Sequence, residues 1–460
     1  MIASIDPATG QEIARFEPHS PREVEAALTA AAAAQADWAA RPIAARTPLL
    51  RRLAQTLRAG ADRYARLITA EMGKPLGEAR AEIEKCALTC DFYAEHAADF
   101  LADRPVASSA HHSAVVHEPL GVVLAVMPWN YPFWQVFRFA APALAAGNGM
   151  VLKHAGNVPQ CALAIASVFA DAGCPPGLAA VLLVEPEAVA SLIADDRIAA
   201  VTLTGSTEVG AIVAGQAGRA LKKQVLELGG SDPFVVLADA DIELAAATAV
   251  KARFTNAGQS CVNAKRFIVE DAVADRFVAA FAARIAALRV GDPLAPDTDI
   301  GPMARANLRA ALHDQVRRTV EAGAALVLGG APLEGPGFFY PPTLLDQVTP
   351  QMAAFREETF GPVAAVTRAR DADHAIALAN DTEFGLAAAI WTADAARGQA
   401  LARRIQAGAV FINGLVASDP RLPFGGIKRS GYGRELGDLG IREFVNAKTV
   451  WVGPVQEAAA

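Results

Sequence analysis

The sequence of 460 residues predicts an α/β protein with two open sheets of mainly parallel strands and a small β-hairpin excursion. Hydrophobic residues make up 53% of the chain, whose length exceeds the size at which a single core keeps growing. Two series of short β-branched runs alternate with alanine-rich helical stretches, one from Gly121 and one after Gly229-Gly230. Such alternation is typical of βαβ units with helices on both faces of a sheet. We therefore expect two packed units that meet near residue 230.

Residues from about 21 to 103 precede these series and have a helical pattern. Leu49, Leu53 and Leu57 recur at steps of four residues, and Gly60 ends the run. The pair Thr47-Pro48 resembles an N-cap followed by proline at the first helical position, so we expect a helix to begin there. This region is predicted to form a layer of helices.

The two alternating series predict the strands and helices of the sheets. In the first, strands are expected at residues 122–126, 150–153, 180–184 and 200–203, with helices from Phe133, from Val158 and near Glu187. In the second, strands are expected at residues 234–237 and 266–269, with helices from Ile242 and Val273 and further units up to Ile412. Residues 102–119 predict a hairpin, and because an isolated hairpin is marginally stable we expect it to pack on another subunit.

Composition excludes several classes of function. The 49 acidic and 42 basic residues give a net charge of −7, which offers no basic stripe for nucleic acid. The first twenty residues do not resemble a signal peptide, and no run reaches about 18 apolar residues, so we expect a soluble cytoplasmic protein with no membrane partner. The odd count of five cysteines favours reduced thiols. The eight histidines show no zinc-like spacing, so no metal site is predicted.

Cys261 is the most informative residue, because it lies in the segment Asn256-Ala-Gly-Gln-Ser-Cys-Val-Asn, and Glu227-Leu-Gly-Gly lies 34 residues upstream. A thiol nucleophile and a candidate base thus flank one helical segment. Taken singly, a cysteine is more often a small buried hydrophobe, and such a glutamate an ordinary paired or surface carboxylate. The surrounding motifs favour a catalytic role for both residues over these ordinary ones.

Several further motifs follow predicted strands. Pro128-Trp-Asn-Tyr-Pro comes after the first strand of the first sheet, and Asn130 is either a turn former or an amide donor for an oxyanion. A helix that begins at Ser206 presents free N–H groups suited to a pyrophosphate, although the spacing from Gly205 to Gly210 does not match the dinucleotide fingerprint. Glu357-Glu-Thr-Phe-Gly-Pro-Val and the glycine-rich segment from Pro423 come later.

In this order and spacing, these segments resemble the aldehyde dehydrogenase superfamily over nearly the whole chain. The resemblance implies a Rossmann-like cofactor domain at 1–101 and 120–229, a catalytic domain at 230–440, and an oligomerisation segment at 102–119 and 441–460 of a homodimer or homotetramer. It also implies that Cys261 is the nucleophile, Asn130 the oxyanion donor and Glu227 the base. The thiolate would attack an aldehyde, hydride would pass to a nicotinamide, and Glu227 would activate the water that cleaves the thioester.

The cofactor residues are likewise implied by the resemblance. They are Lys153 and Glu358 for the riboses, Trp129 and Ser206 near the phosphates, and Phe360 on the nicotinamide side, with Gly205 and Leu228 as further contacts. Many NAD-preferring relatives carry a glutamate three residues after the lysine, whereas this chain has Gly156. A missing carboxylate removes repulsion toward a 2′-phosphate, so we expect NADP to be accepted alongside NAD, or preferred.

The substrate is suggested by Arg138, which lies in a strongly apolar helix where an unpaired guanidinium would be costly. Its partner is either an internal carboxylate, or solvent reached by snorkelling, or the carboxylate of a substrate. The surrounding sequence looks like that of bacterial succinate-semialdehyde dehydrogenases, which implies substrate contacts from Arg138, Gln135 and Ser418. Another arginine that some of those enzymes carry six residues before the cysteine is replaced here by Thr255.

Three alternatives stay open at this point. The first is a dehydrogenase for another aldehyde, such as glutarate semialdehyde or an aliphatic aldehyde. The second is a protein that keeps the fold without catalysis. The third is a cysteine hydrolase, for which no histidine has a supporting motif.

Overall fold

A computed structural model describes residues 1–453. The predicted oligomerisation segment 441–460 therefore has its last part, 454–460, outside the described residues. The chain begins with a two-stranded antiparallel sheet that the sequence did not predict, followed by the expected helical layer and two further strands. These elements are β1 (Ile2–Ile5), β2 (Glu12–Phe16), α1 (Pro21–Ala39), α2 (Ile43–Ala59), α3 (Ala61–Met72), α4 (Leu76–Phe100), β3 (Arg104–Pro105) and β4 (His112–Pro119).

Helix α2 begins at Ile43, so the expected start at Thr47 is wrong, and Pro48 lies inside the helix. The face that carries Leu50 and Leu53 is buried against α4. This burial offsets the backbone hydrogen bond that Pro48 cannot donate.

The first large sheet follows, with its strands and helices alternating as predicted. Its elements are β5 (Val122–Met127), α5 (Trp134–Ala146), β6 (Gly149–His154), α6 (Pro159–Asp171), β7 (Ala179–Leu182), α7 (Ala188–Ala194), β8 (Ile198–Thr204), α8 (Thr207–Arg219) and β9 (Lys223–Glu227). Strands β9, β8, β5, β6 and β7 lie side by side in that order, and all of these pairs are parallel.

Both faces of this sheet are buried. Along β5, Val123 and Ala125 point into a core shared with α2 to α6, whereas Val122 and Leu124 point into a core shared with α1, α7 and α8. Because the strands are parallel, the residues that follow them gather at one carboxyl edge, where ligands bind in open α/β sheets.

The second large sheet is built in the same way. Its elements are β10 (Asp232–Val236), α9 (Ile242–Phe254), a 3₁₀ turn (Thr255–Gly258), β11 (Ala264–Glu270), α10 (Asp271–Ile285), α11 (Ala306–Glu321), β12 (Ala325–Leu328), β13 (Thr343–Asp346), α12 (Ala353–Arg356), β14 (Val363–Ala369), α13 (Ala372–Asn380), β15 (Ala387–Trp391), α14 (Ala395–Ala402) and β16 (Ala409–Ile412). The strand order is β12-β13-β14-β11-β10-β15-β16, and the β12–β13 pair is antiparallel while the others are parallel.

The chain passes from the first sheet to the second between Glu227, the last residue of β9, and Asp232, the first residue of β10. The carboxyl edge of the first sheet and the amino edge of the second are therefore joined by only four residues. The cysteine loop, which leads into β11, lies at this same amino edge.

The C-terminal part of the chain returns to the earlier elements. It contains a 3₁₀ turn (Lys428–Ser430), β17 (Gly431–Tyr432), α15 (Gly437–Arg442) and β18 (Val445–Val452). Strand β17 adds to the first sheet by antiparallel pairing with β9, so residues expected to be catalytic-domain elements also complete the first sheet. Strand β18 pairs with β4, and β4 with β3, which gives the expected hairpin a third strand.

Candidate active site

The segment that carries Cys261 has an unusual backbone conformation. Asn256 and Ala257 have φ values of 57° and 51°, and Gly258 follows at 71°. Each non-glycine residue in this region costs roughly 1–3 kcal/mol, so the conformation persists only where surrounding groups hold it. A side chain at Gly258 would collide with the Gly361 carbonyl, because a Cβ there would lie 2.3 Å from that oxygen.

Arg253, the next-to-last residue of α9, is the main tie between this segment and the later Glu358 motif. Its guanidinium is fully buried and donates to the carbonyls of Val363 at 2.5 Å and Thr359 at 2.7 Å, and also to the carbonyl of Gly361. Burial lowers the pKa of Arg253 to about 9, and the charge of Glu358 opposes this shift. The cysteine loop and residues 358–363 are thus held against each other.

Amide side chains hold the other side of the loop. Asn256 donates to the backbone carbonyl of Asn130 at 2.8 Å, and the Asn130 side chain donates to the carbonyl of Gln259 at 3.1 Å. Gln259 in turn accepts from the backbone N–H of Ala304 at 2.9 Å. The side chain of Asn130 is thereby oriented toward the loop that ends at Cys261.

Cys261 lies between two cavities and lines both of them. Burial raises the pKa of its thiol to about 12, and the positive charges of Arg138 and Lys265 oppose the shift. Cys86, Cys90 and Cys161 are buried, and burial raises their pKa values as well. Of the five cysteines, Cys261 is the one that faces the two cavities.

The first cavity has a volume of about 260 Å³. Its wall contains the three residues predicted to contact substrate, namely Gln135, Arg138 and Ser418, together with aromatic side chains and two lysines that the sequence analysis missed. The aromatic residues are Tyr131, Trp134 and Phe424, the lysines are Lys85 and Lys251, and two acids, Glu78 and Glu82, line the wall as well.

Arg138 has an internal acid partner, which is one of the alternatives that the sequence left open. Its guanidinium forms a buried ion pair with Glu435 and donates to the Thr204 hydroxyl at 3.2 Å. Glu435 comes from the glycine-rich segment near β17, almost 300 residues later in the chain, so this pairing was not visible in the sequence. The charge of Arg138 is balanced before any substrate arrives.

Glu227 is buried behind the first cavity and lines neither cavity. Neither oxygen of its carboxyl group has a hydrogen-bond partner among the described residues. Burial raises its pKa well above the usual range, the nearby Glu435 raises it further, and Arg138 opposes. The carboxyl group fits there because Gly425 has no side chain, since a Cβ at Gly425 would lie 2.7 Å from Oε1.

The second cavity, of about 230 Å³, lies at the carboxyl edge of the first sheet. Six of the seven predicted cofactor residues line it, and Lys153, at the end of β6, does not. The six are Trp129, Gly205, Ser206, Leu228, Glu358 and Phe360. Asn130 and Cys261 line it as well, and so do Thr204, Arg305 and Leu308, which the sequence analysis missed.

The polar groups of the second cavity are positioned by backbone contacts. Ser206 caps α8 through a bond from the Val209 N–H at 3.4 Å, and the first N–H groups of the helix have no helical partners. Glu358 accepts from the Gly230 N–H at 3.0 Å and pairs with Lys265 at 3.3 Å.

The walls of the second cavity continue in stacked side chains. The rings of Trp129 and Phe360 meet edge to face at 5.8 Å, and the Arg305 guanidinium lies 5.6 Å from the Trp129 ring. A planar aromatic group and an anion are both suited to this lining.

Residues 1–453 contain neither a candidate membrane-spanning helix nor a candidate metal site. No helix there is both long and apolar enough to cross a bilayer, and no group of three His, Cys, Asp or Glu side chains is placed to hold a metal ion.

Comparison with known proteins decides the family. The sequence profile of the aldehyde dehydrogenase family matches residues 1–450. The chain belongs to the aldehyde dehydrogenase family. Two similar relatives of this family are a probable succinate-semialdehyde dehydrogenase [NADP(+)] of Synechocystis, 54% identical over 98% of this chain and 99% of the relative, and a succinate semialdehyde dehydrogenase [NAD(P)+] of Escherichia coli, 51% identical over 97% of each.

A solved structure of the same family is also similar. The succinic semialdehyde dehydrogenase of Streptococcus pyogenes, in complex with NADP+ as the cofactor, has a TM-score of 0.96 and 36% identity, with 99% of this chain and 100% of that chain covered. The α/β fold with two parallel-type sheets expected of an aldehyde dehydrogenase is thereby confirmed.

Replacement of Arg253 tests the tie between the cysteine loop and residues 358–363. We expect Arg253→Met to destabilise the protein by about 3 kcal/mol, because four buried carbonyl groups lose the charged donor that they share. Urea unfolding followed by circular dichroism measures this loss. The matched control is Arg284→Met, which removes an exposed guanidinium from α10 and should leave stability nearly unchanged. Equal stability of the two variants would contradict the role of Arg253.

Proposed function

We propose that this protein oxidises succinate semialdehyde to succinate with NADP, or with NAD, through a thiohemiacetal and a thioester on Cys261. The observation that carries the proposal is the position of Cys261 at the junction of two cavities. One cavity has cationic and aromatic walls, and the other has a helix N-terminus and stacked aromatic rings. The similar relatives are named for this substrate and for these cofactors.

The residues of the second cavity fit a nicotinamide dinucleotide. Ser206 and the N-terminus of α8 would hold the pyrophosphate, Glu358 would hold a ribose, and Phe360 and Leu228 would lie against the nicotinamide ring. Gly229 supports this fit, since a Cβ there would lie 2.6 Å from Glu358 Oε2 and would displace that carboxylate. When bound, the nicotinamide supplies the two-electron oxidation that converts the thiohemiacetal into the thioester.

Cys261 carries out the first step. Its Sγ gives up its proton to water in the cavity and forms a bond to the aldehyde carbon, and the C=O π bond breaks so that the carbonyl oxygen becomes an oxyanion. The Asn130 amide and the Cys261 backbone N–H are the donors for that oxyanion. Asn130 is suited to this role because its amide is already oriented by the Gln259 carbonyl, so little reorganisation is needed.

Glu227 carries out the hydrolytic step. It takes a proton from a water molecule, the water oxygen attacks the thioester carbon, and the C–S bond breaks to release the acid, while the proton on Glu227 passes to Sγ and restores the Cys261 thiol. Because the carboxyl group lines neither cavity, it must move toward Cys261 after the oxidation. Its two oxygens without partners favour such movement, since they gain hydrogen bonds to water in the cavity.

We propose in addition a homodimer or homotetramer built around the three-stranded sheet of β18, β4 and β3. Trp451 of β18 is 53% exposed and has exposed apolar neighbours on the same strand, namely Val450 and Val452. Because successive side chains of a strand alternate between its faces, Trp451 lies on one face and the two valines on the other, and exposed apolar side chains of this kind are suited to a contact with another subunit. The predicted location of the protein is the cytoplasm.

A panel of aldehydes tests the proposed function. We expect kcat/KM with NADP to be roughly 100-fold higher for succinate semialdehyde than for butanal, because a cationic cavity selects a carboxylate. The measurement is steady-state NADPH formation. A higher kcat/KM for glutarate semialdehyde would favour that aldehyde as the substrate. Equal kcat/KM for succinate semialdehyde and butanal would contradict selection of acid-bearing aldehydes. If no aldehyde gives NADPH, the protein keeps the fold without catalysis.

The cofactor preference is tested at Gly156. Its position has room for a side chain, since a Cβ added there would meet no atom within 4 Å and its φ is not positive. We expect Gly156→Glu to lower kcat/KM for NADP by roughly tenfold or more and to spare NAD, because a carboxylate repels the 2′-phosphate. Gly156→Gln is the uncharged control of similar size. The explanation is wrong if the Glu and Gln variants have the same NADP to NAD ratio.

A further inference from the structure

Lys85 enters the first cavity from the middle of α4, an element in which no functional residue was predicted. Its ammonium group donates to the Ser418 hydroxyl at 2.7 Å and lies 4.3 Å from the centre of the Trp134 ring. Lys85 is thus held in place at the cavity wall that also carries Cys261.

Two acids near Lys85 already have other cationic partners, and Glu78, a third acid of the cavity wall, accepts from the Asn256 N–H at 2.8 Å. Glu82 pairs with Lys74, and Asp419 pairs with Arg421. Within residues 1–453, no carboxylate forms an ion pair with the Lys85 ammonium group. A half-buried ammonium that is balanced only by a hydroxyl and an aromatic face is costly, and an anion in the cavity would remove that cost.

Arg138 is less available for this task than the sequence suggested. Its charge is paired with Glu435, and one of its terminal nitrogens is occupied by Thr204. Its positive charge also acts on Lys85: burial, together with the charge of Arg138, lowers the pKa of Lys85 to about 8, and Glu82 and Asp419 oppose the shift. A bound carboxylate would stabilise the ammonium form of Lys85 and supply the anionic partner that this group lacks.

We propose that Lys85, together with the Ser418 hydroxyl, binds the carboxylate of the substrate and selects acid-bearing aldehydes. Ser418 accepts its hydrogen bond from Lys85, which leaves its own O–H free to donate to the same carboxylate. The inference rests on the proposed function, because it assigns a recognition site within it. Arg138 lines the same cavity with its charge paired to Glu435.

The test compares Lys85→Gln with Lys85→Arg, each assayed with succinate semialdehyde and with butanal. We expect Lys85→Gln to lose roughly 100-fold in kcat/KM for succinate semialdehyde and less than about threefold for butanal, with Lys85→Arg retaining most of the activity. Inhibition by succinate should weaken in parallel in Lys85→Gln. Lys251→Gln removes the same charge from an exposed residue at the cavity mouth and serves as the matched control.

Several outcomes would overturn the inference. If Lys85→Gln keeps its preference for succinate semialdehyde, or if Lys251→Gln loses as much as Lys85→Gln, then Lys85 is not the selective residue. If butanal oxidation falls equally, the role of Lys85 is structural. The proposed function fails separately, since it fails when the unmodified protein shows no preference for succinate semialdehyde over butanal.

Discussion

The guanidinium of Arg253 is the contact on which the rest of the site depends. It binds carbonyl groups of residues 359–363 and thereby holds the strained turn at Asn256 and Ala257 in place. Without these bonds the left-handed residues would relax to ordinary helical or extended backbone. Cys261 would then leave the junction of the two cavities, and Glu358 would lose its position opposite the cysteine loop.

The two sheets place this loop where chemistry is possible. The carboxyl edge of the first sheet carries Asn130 and Ser206, and the amino edge of the second sheet carries the loop of Cys261. The four residues between β9 and β10 join these edges, and β17 adds to the first sheet beside this connection by pairing with β9. One thiol therefore faces a helix N-terminus on one side and a cationic wall on the other, so that oxidation and substrate recognition meet at a single atom.

Local patterns in the sequence were sufficient for the alternating strands and helices, and the family resemblance supplied Cys261, Asn130 and the six residues that line the second cavity. They were not sufficient for contacts between distant segments. The pairing of Arg138 with Glu435, the return of β17 to the first sheet and the place of Lys85 in the cavity wall all depend on side chains far apart in the chain. A lysine on a helix looks like a surface residue, because its partner Ser418 lies 333 residues away. The predicted start of α2 was wrong for a similar reason, since burial of the helix against α4 outweighs the tendency of Pro48 to begin a helix.

The central claim is that Cys261 forms the covalent intermediate and that Glu227 moves to hydrolyse it. Rapid mixing of Glu227→Gln with succinate semialdehyde and NADP tests this most directly, with absorbance of NADPH followed through the first turnover. We expect a burst close to one NADPH per Cys261 site and then a steady rate reduced by roughly 100-fold or more, because the thioester waits for a base. Steady turnover at the unmodified rate would contradict it, and so would the loss of the burst in a variant that still binds NADP.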